Sequence, residues 1–331
     1  MAYIASETRF SEMKYNPCGE SGLMLPAVSL GLWHNFSVVN DFENMKQMCF
    51  TAFDHGITHF DLANNYGRPV PGSAEVNFGK ILHEEMSAHR DDMIISTKAG
   101  HLLREGPYGN WGSRKSLLSS LDLSLRHLEL DYVDIFYHHR PDPNTPLEET
   151  MGALNQAVKS GKALYAGLSN YDGELLLRAS AILRELKCPF VINQNRYSIF
   201  DRTVENNGLL TAAKQEKKGV IVFSPLAQGL LTDRYLGGIP EDSRIAVNGV
   251  SIKADILTEE KLAQIRALNE IAKERGESLA QMALAWVLRE SAVTSVLVGA
   301  SKPSQILDNL KAIHSAPFSD EELRRIDEIS L

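Results

Sequence analysis

The chain has 331 residues, 44% hydrophobic and 23% charged, with a formal net charge of −8. This composition is typical of a globular protein with a substantial core, and the acidic balance disfavours non-specific binding to nucleic acid. Three widely spaced cysteines fit neither a zinc spacing nor a disulfide framework, and there is no apolar leader or membrane-spanning run, so we expect a cytoplasmic protein with free thiols and no membrane partner.

The predicted elements begin with a β-hairpin at 13–27, turning at "CGESG". Short apolar runs rich in β-branched residues follow, and their nearly continuous apolar character is typical of parallel strands buried under helices. These runs predict strands at 28–33, 58–63, 93–99, 132–139, 163–170, 190–197, 219–225 and 294–300.

Amphipathic segments with helical spacing separate the strands, such as "SLLSSLDLSLRHLEL" with leucines three and four residues apart. Eight strands alternating with helices are the pattern of a closed (β/α)₈ TIM barrel, which we predict as one domain over 1–331. The alternative is an open doubly wound sheet, but no G-x-G-x-x-G follows the first strand. After the seventh barrel strand, the long polar segment 226–256 predicts a functional loop.

Polar side chains are concentrated where the predicted strands end. Barrel active sites form where the strand carboxyl ends and the following loops converge. An unselected set of strand ends is mostly small or apolar, so this concentration predicts a catalytic pocket. The residues at these ends are Trp33, Asp61, Lys98, His139, Ser169, Asn170, Gln194, Phe223, Ser224 and Ser301.

Four residues suggest a chemistry for this pocket. A free tyrosine has a pKa of ~10, and a neighbouring ammonium would lower that of Tyr66. The ammonium of Lys98 needs a carboxylate when it is buried, and Asp61 supplies one. His139 would hydrogen-bond a substrate oxygen and orient it. This set suits protonation of a carbonyl oxygen while hydride reaches its carbon, and the hydride must come from a nicotinamide cofactor.

Several segments resemble the signatures of the aldo-keto reductase superfamily, in order along nearly the whole chain. They are "FDLANNYG", "STKAG", "YVDIFYHHRPDPNTPLEET", "AGLSN", "FSPLAQGLL" and "GASKPSQILDN". Within the family, bacterial L-glyceraldehyde 3-phosphate reductases and potassium-channel β subunits are the most similar groups. The resemblance implies Tyr66 as the proton donor, Lys98 and Asp61 as its tuning pair, and His139 as the orienting group. In the channel subunits the position of His139 resembles an asparagine, so the histidine of this chain favours an enzyme.

The resemblance also implies an NADP cofactor, with NADPH preferred to NADH. It implies that Trp33, Asp61 and Tyr66 lie beside the nicotinamide, with Phe223 stacked on its ring and with Ser169, Asn170 and Gln194 on its carboxamide. The pyrophosphate would be lined by Ser224, Leu226, Gln228, Gly229, Arg234 and Arg244. The adenosine end, with its 2′-phosphate, would meet Ser301, Lys302, Gln305 and Asn309. Loops after the last two barrel strands commonly bind phosphate, which agrees with this assignment.

The expected substrate is a small carbonyl compound, such as L-glyceraldehyde 3-phosphate or methylglyoxal, reduced in detoxification. Its pocket would be lined by Trp33, Tyr66, His139 and Arg140, the last at the rim and suited to a phosphate. The resemblance implies a homo-oligomer, a tetramer or octamer. Two alternatives stay open: a cofactor-binding redox sensor like the channel subunits, and a Schiff-base aldolase using Lys98. A metal at His138 and His139 is disfavoured, because adjacent strand residues face opposite ways.

Overall fold

The computed structural model describes residues 3–236 and 257–331. An antiparallel hairpin comes first, formed by β1 (Tyr15–Pro17) and β2 (Met24–Pro26). In the described residues, eight parallel strands then close into a barrel in sequence order, with the last strand paired to the first. They are β3 (Val28–Gly31), β4 (His59–Asp61), β5 (Ile94–Ala99), β6 (Val133–His138), β7 (Ala163–Ser169), β8 (Phe190–Arg196), β9 (Gly219–Phe223) and β10 (Val293–Val298).

Helices connect the strands and cover the outside of the barrel. Several begin at a side-chain cap: Asp41, Ser113, Asp172, Thr258 and Ser278 each accept a hydrogen bond from a backbone N–H of the first turn. The described helices are α1 (Phe42–Asp54), α2 (Ser73–Ile81), α3 (Arg114–Leu128), α4 (Leu147–Lys159), α5 (Gly173–Glu185), α6 (Thr203–Asn206), α7 (Leu209–Glu216), α8 (Glu259–Glu274), α9 (Leu279–Leu288), α10 (Pro303–Leu310) and α11 (Asp320–Ser330).

The predicted (β/α)₈ barrel and its N-terminal hairpin are confirmed, although each barrel strand is shorter than predicted. The first barrel strand ends at Gly31 rather than at 33, and the second covers only His59–Asp61. The chain then bends into the loops, but some pairing continues, because Leu32 N still donates to the Asp61 carbonyl at 2.9 Å. An apolar run marks burial, which extends beyond the paired part of each strand.

The hairpin packs against the inside of the barrel at the amino ends of the strands. Leu25 and Cys18 are fully buried and join a cluster inside the barrel that includes Ile135 and Ile192. A separate, larger apolar cluster lies between the sheet and the helices. One end of the barrel is therefore closed by apolar packing, while the loops after the strands form the other end. No helix in 3–236 or 257–331 is long and apolar enough to cross a membrane.

Candidate active site

Three neighbouring strands bring the predicted catalytic residues to the same end of the barrel. Asp61 is the last residue of β4, Lys98 is the second-last of β5, and His139 directly follows β6. These strands are paired in parallel, so their carboxyl ends lie side by side. Tyr66 lies in the loop between β4 and α2, where its N–H donates to the Ala63 carbonyl at 3.0 Å.

A buried ion pair is the centre of the site. Lys98 Nζ contacts the Oδ2 atom of Asp61 and also donates to the Leu62 carbonyl at 2.6 Å. The other carboxylate oxygen, Oδ1, accepts from Ser96 Oγ at 2.7 Å and from Gln194 Nε2 at 3.1 Å. Burial lowers the pKa of Lys98, and its contact with the carboxylate opposes that effect. The pair thus meets the expectation that a buried ammonium requires a partner and hydrogen bonds.

Tyr66 lies against this pair, as predicted, but its acidity differs from the prediction. The centroid of the Tyr66 ring is 5.1 Å from Lys98 Nζ and 5.9 Å from the centroid of the His139 ring. The expected lowering of the phenol pKa is wrong for this structure, because burial and then the Asp61 charge raise the pKa of Tyr66 well above its ordinary value. The charge of Asp61 thus opposes the stabilisation that the neighbouring ammonium offers a phenolate. Tyr66 therefore keeps its proton near neutral pH.

His139 faces the phenol as a neutral ring. Burial, followed by the charge of Lys98, holds its pKa well below 6.5. Its side chain is buried, and within the described residues Nδ1 has no hydrogen-bond partner. A buried polar atom without a partner is unusual in a folded protein, and at a pocket it indicates a place for a ligand atom. The imidazole is thus available to hydrogen-bond a substrate oxygen.

The neighbouring histidine points the other way. His138 Nδ1 lies 2.8 Å from the Tyr171 hydroxyl, which supports the interpretation that only one of the two histidines enters the pocket. Within 3–236 and 257–331, no group of three or more His, Cys, Asp or Glu side chains is arranged to hold a metal. His138 is thus a buried residue whose ring contacts the Tyr171 hydroxyl.

Because burial lowers the pKa of His138 to about 3, this residue should make the fold sensitive to acid. The unfolded chain binds a proton near pH 6.5 and the folded chain does not, so stability falls as the pH drops below 6.5. We expect His138→Gln to reduce the loss of unfolding free energy between pH 7 and pH 5 by about 1–2 kcal/mol. Urea unfolding at the two pH values measures this difference, and an equal loss in both proteins would contradict it.

Arg140 and the loop 101–113 form the rim of the pocket. The Arg140 guanidinium lies 3.9 Å from the centroid of the Trp111 ring. It donates to the Asn110 side chain at 2.9 Å and to the Gly100 carbonyl at 3.2 Å. Trp111 has a φ of 67°, a conformation that side chains other than glycine rarely adopt. The structure thus shows Arg140 fixing this loop beside the site.

Sequence reasoning missed His101 at the same rim. Its ring meets that of His139 edge to face, with centroids 4.3 Å apart. Burial and the charge of Arg140 lower the pKa of His101 to about 4, so it is a second neutral imidazole in the pocket. The available signal was its position, three residues after Lys98 in the loop that follows β5. Trp33, 42% exposed, lies 6.3 Å from Tyr66 between ring centroids and forms another part of the mouth.

The residues predicted to hold the nicotinamide carboxamide lie at the ends of adjacent strands. Ser169 ends β7, Asn170 follows it, and Gln194 lies near the end of β8. The amide of Asn170 donates to the His139 carbonyl at 2.9 Å, and that of Gln194 donates to Asp61. Asn170 has a φ of 62°, in the left-handed region. These amide and hydroxyl groups therefore suit a planar amide placed beside the catalytic residues.

The loop after β9 has an unusual backbone that suits a pyrophosphate. Phe223 ends the strand, partly buried, and Ser224, Ala227 and Gln228 have positive φ values of 55°, 46° and 58°. Turns with left-handed residues can direct successive backbone N–H groups to one side and bind anions. Leu226 and Gly229 belong to the same turn, and Arg234 lies in a 3₁₀ turn that follows it. The predicted Arg244 lies outside the described residues.

The start of α10 fits a phosphate, with one change from the prediction. The cap is Lys302 rather than Ser301, because Ser301 N and Oγ both bond the Gln305 side chain, at 2.8 and 3.1 Å. Pro303 occupies the first turn as predicted, and Lys302 is exposed with no side-chain capping bond. A cation at the positive end of a helix suits a phosphate. Asn309 is buried on the same helix.

A closed barrel with a phenol, a buried lysine–aspartate pair and a neutral imidazole at the strand carboxyl ends defines a barrel enzyme suited to carbonyl chemistry. The chain belongs to the aldo/keto reductase family, whose model matches residues 27–331. It is therefore an oxidoreductase by family, and both the fold and the site agree with this membership.

The chain is similar to several individual members of the family. The chain is 53% identical to the L-glyceraldehyde 3-phosphate reductase of Escherichia coli K12 over 331 residues, covering 99% of this chain and 95% of that protein. It is 36% identical to a probable voltage-gated potassium channel subunit beta of Arabidopsis thaliana, covering 92% and 93% of the two chains. A crystal structure of the thermostable aldo-keto reductase Tm1743 with the inhibitor epalrestat aligns with a TM-score of 0.74 and 30% identity, covering 96% of this chain and 100% of the other.

Proposed function

We propose that the protein is an NADPH-dependent reductase of small aldehydes and ketones, with L-glyceraldehyde 3-phosphate and methylglyoxal as candidate substrates. One observation carries the proposal: the Tyr66 ring lies 5.1 Å from Lys98 Nζ and 5.9 Å from the ring of His139. These distances support Tyr66 as a proton donor and His139 as a hydrogen-bond donor to one substrate oxygen. The 53% identity to a reductase named for L-glyceraldehyde 3-phosphate supports the choice of substrate.

The chain's own residues handle the carbonyl oxygen in this proposal. NADPH, when bound, supplies the hydride. The neutral His139 donates a hydrogen bond to the carbonyl oxygen and orients the substrate. As negative charge grows on that oxygen, it becomes more basic than a phenolate, and Tyr66 donates its proton despite the raised pKa. The Lys98 ammonium lies close enough to the phenol ring to stabilise the phenolate that remains.

The predicted NADP-binding residues fit that cofactor through three separate features. Amide and hydroxyl groups of Ser169, Asn170 and Gln194 lie beside the catalytic residues and suit the carboxamide. The left-handed turn at 224–229 suits the pyrophosphate. Lys302, exposed at the start of α10, suits the adenosine 2′-phosphate, supported by Ser301 and Gln305 nearby.

The 2′-phosphate assignment gives a test of cofactor preference. Lys302→Ala should raise the KM for NADPH about 10-fold, because one charge-assisted contact is lost, and leave the KM for NADH nearly unchanged. Lys311→Ala, at the other end of the helix and paired with Asp308 at 3.0 Å, is the matched control. An equal effect of Lys302→Ala on both cofactors would contradict the assignment.

A phosphate-bearing substrate would meet Arg140 at the pocket rim. The hydrogen bonds that the structure gives this guanidinium use Nε and Nη2, and the group is held over Trp111. We expect Arg140→Met to raise the KM for glyceraldehyde 3-phosphate more than that for methylglyoxal, which has no phosphate. If both KM values rise equally, Arg140 acts only by holding the loop.

The direct experiment is consumption of NADPH, followed at 340 nm, with a panel of short aldehydes and ketones. We expect NADPH to be consumed with at least one compound of the panel. No NADPH should be consumed when the carbonyl compound is left out. No absorbance loss across the panel would overturn the proposal. The Schiff-base alternative is disfavoured because Lys98 Nζ is engaged with both Asp61 and the Leu62 carbonyl.

The similarity to a channel β subunit supports a second candidate, a cofactor-binding redox sensor. That candidate predicts tight NADP binding, negligible turnover and a stable membrane-protein partner. His139 favours the enzyme, because a neutral, unpartnered imidazole in the pocket serves carbonyl binding. We further propose a cytoplasmic homo-oligomer, tetramer or octamer, and sedimentation velocity of the purified protein tests the assembly.

A further inference from the structure

A row of buried polar side chains runs through the barrel interior beneath the site. Ser295 Oγ and Ser29 Oγ are 2.7 Å apart, and Ser29 Oγ lies 2.9 Å from Nδ1 of His59. The other ring nitrogen, Nε2, lies 2.9 Å from Ser96 Oγ, which donates to Asp61 Oδ1 at 2.7 Å. The serines and the histidine have no exposed surface. This serine–histidine chain crosses four neighbouring strands, β10, β3, β4 and β5.

The direction of each hydrogen bond follows from simple proton counting. The carboxylate paired with Lys98 can only accept hydrogen bonds, so the Ser96 hydroxyl donates its single proton to Asp61. The Ser96 oxygen then accepts from His59 Nε2–H. Burial lowers the pKa of His59 to about 4, so the ring is neutral near pH 7 and its Nδ1 atom must accept from Ser29. Ser29 in turn accepts from Ser295, and all the donors point toward the carboxylate.

We propose that the serine–histidine chain is a positioning device for the reaction, in which His59 holds Asp61, through Ser96, in the orientation that its contact with Lys98 requires. This inference rests on the proposed function. Aligned hydrogen bonds polarise one another, so the chain presents a strengthened donor to the carboxylate. Buried polar groups are costly compared with an apolar core, and a fully satisfied row that ends at a catalytic pair indicates a role beyond packing.

Other groups around the chain act on the same charge. Lys98 on β5 balances Asp61, while the phenols of Tyr66 and Tyr137 are affected by the carboxylate charge, and Gln194 on β8 donates to it. The two charges shift the pKa of His59 in opposite directions, since Asp61 raises it and Lys98 lowers it. A proton added to His59 would place a second cation beside Lys98. Nδ1 would then carry a proton and donate to Ser29, so the Ser29 hydroxyl could no longer donate to His59.

The first experiment compares pH profiles of kcat for His59 variants. His59→Phe keeps an aromatic ring but breaks both hydrogen bonds. We expect about a 10-fold lower kcat, a KM changed by less than about 2-fold, and an acid limb moved to higher pH, because the carboxylate loses stabilisation of its charge. His59→Gln can still present N–H toward Ser96 and an oxygen toward Ser29, so it should restore most of the loss.

Ser180→Ala is the control, because it removes a side-chain hydrogen bond far from the site, from the Ser180 hydroxyl to Glu216 between the outer helices. It should leave kcat and its pH profile unchanged. A folded His59→Phe protein with a wild-type profile would overturn the proposal. So would a loss that His59→Gln does not restore and that follows only a lower thermal stability, since this would indicate packing alone.

A second measurement is independent of turnover. Side-chain ¹⁵N chemical shifts of histidine in the wild-type protein report which ring nitrogen carries the proton. We expect His59 to be neutral with the proton on Nε2 at pH 7, assigned by the signal missing in His59→Gln. A proton on Nδ1 would break the direction of the chain and overturn the inference, even if the protein reduces carbonyls as proposed. Correct polarity without any turnover would instead contradict the proposed function.

Discussion

Replacing Tyr66 by phenylalanine is expected to lower kcat by about 10²–10⁴-fold, the range for removing a general acid. The substitution removes one oxygen and leaves the ring, so its packing near Lys98 and Trp33 should persist. Steady-state reduction of methylglyoxal measures the loss. Titration of the variant with NADPH, followed by protein fluorescence, should give nearly the wild-type Kd.

Tyr15→Phe provides the control for this result. Its hydroxyl donates to the Gly56 carbonyl at 2.8 Å, in the hairpin at the opposite end of the barrel, so its removal should leave kcat unchanged. Normal turnover by the Tyr66→Phe protein would mean that another group, or water, donates the proton. The proposed role of the phenol would then be wrong.

Replacing Lys98 by methionine is expected to affect both activity and stability. The change leaves the Asp61 carboxylate buried without its counterion, and breaking a buried pair in this way costs about 3–5 kcal/mol of unfolding free energy. It also removes the cation that stabilises a phenolate at Tyr66, so kcat should fall by about 10²-fold or more. Urea unfolding and NADPH consumption measure the two effects separately.

A double variant, Lys98→Met with Asp61→Asn, separates the two causes. The asparagine carries no charge and can still accept from Ser96 and Gln194, so most of the lost stability should return. Activity should not return, because the ammonium is still absent. A Lys98→Met protein as stable as the wild type at pH 7 would show that the pair contributes nothing to the fold.

The barrel was predictable because most of its strands contain short apolar runs that alternate regularly with helices. Hydrophobic runs predicted the ends of each barrel strand to within about two residues. The alternation of strands and helices predicted the closed topology. The positions of Asp61, Lys98 and His139 at strand ends followed from that topology. Their side-by-side arrangement needed no knowledge of side-chain conformation.

Properties that depend on exact distances were not predictable. The predicted direction of the Tyr66 pKa shift was wrong, because residue order does not show how deeply the phenol is buried, and burial, followed by the charge of Asp61, raises this pKa. Nor does it show that Ser301 bonds Gln305 and leaves the helix cap to Lys302. The role of His59 was also hidden, since a histidine inside an apolar run is equally consistent with ordinary burial.

Closure of the sheet by β10 has a consequence for synthesis on the ribosome. This strand pairs with both β3 and β9, and Asn44 donates to the Ser301 carbonyl at 2.9 Å, so the earliest and latest parts of the chain meet. Until residue 298 has emerged, β3 and β9 present unpaired edges that invite aggregation. At about 5–20 residues per second, the roughly 270 residues between the ends of β3 and β10 take about 13–54 s to synthesise, long enough for chaperones to bind the nascent polypeptide.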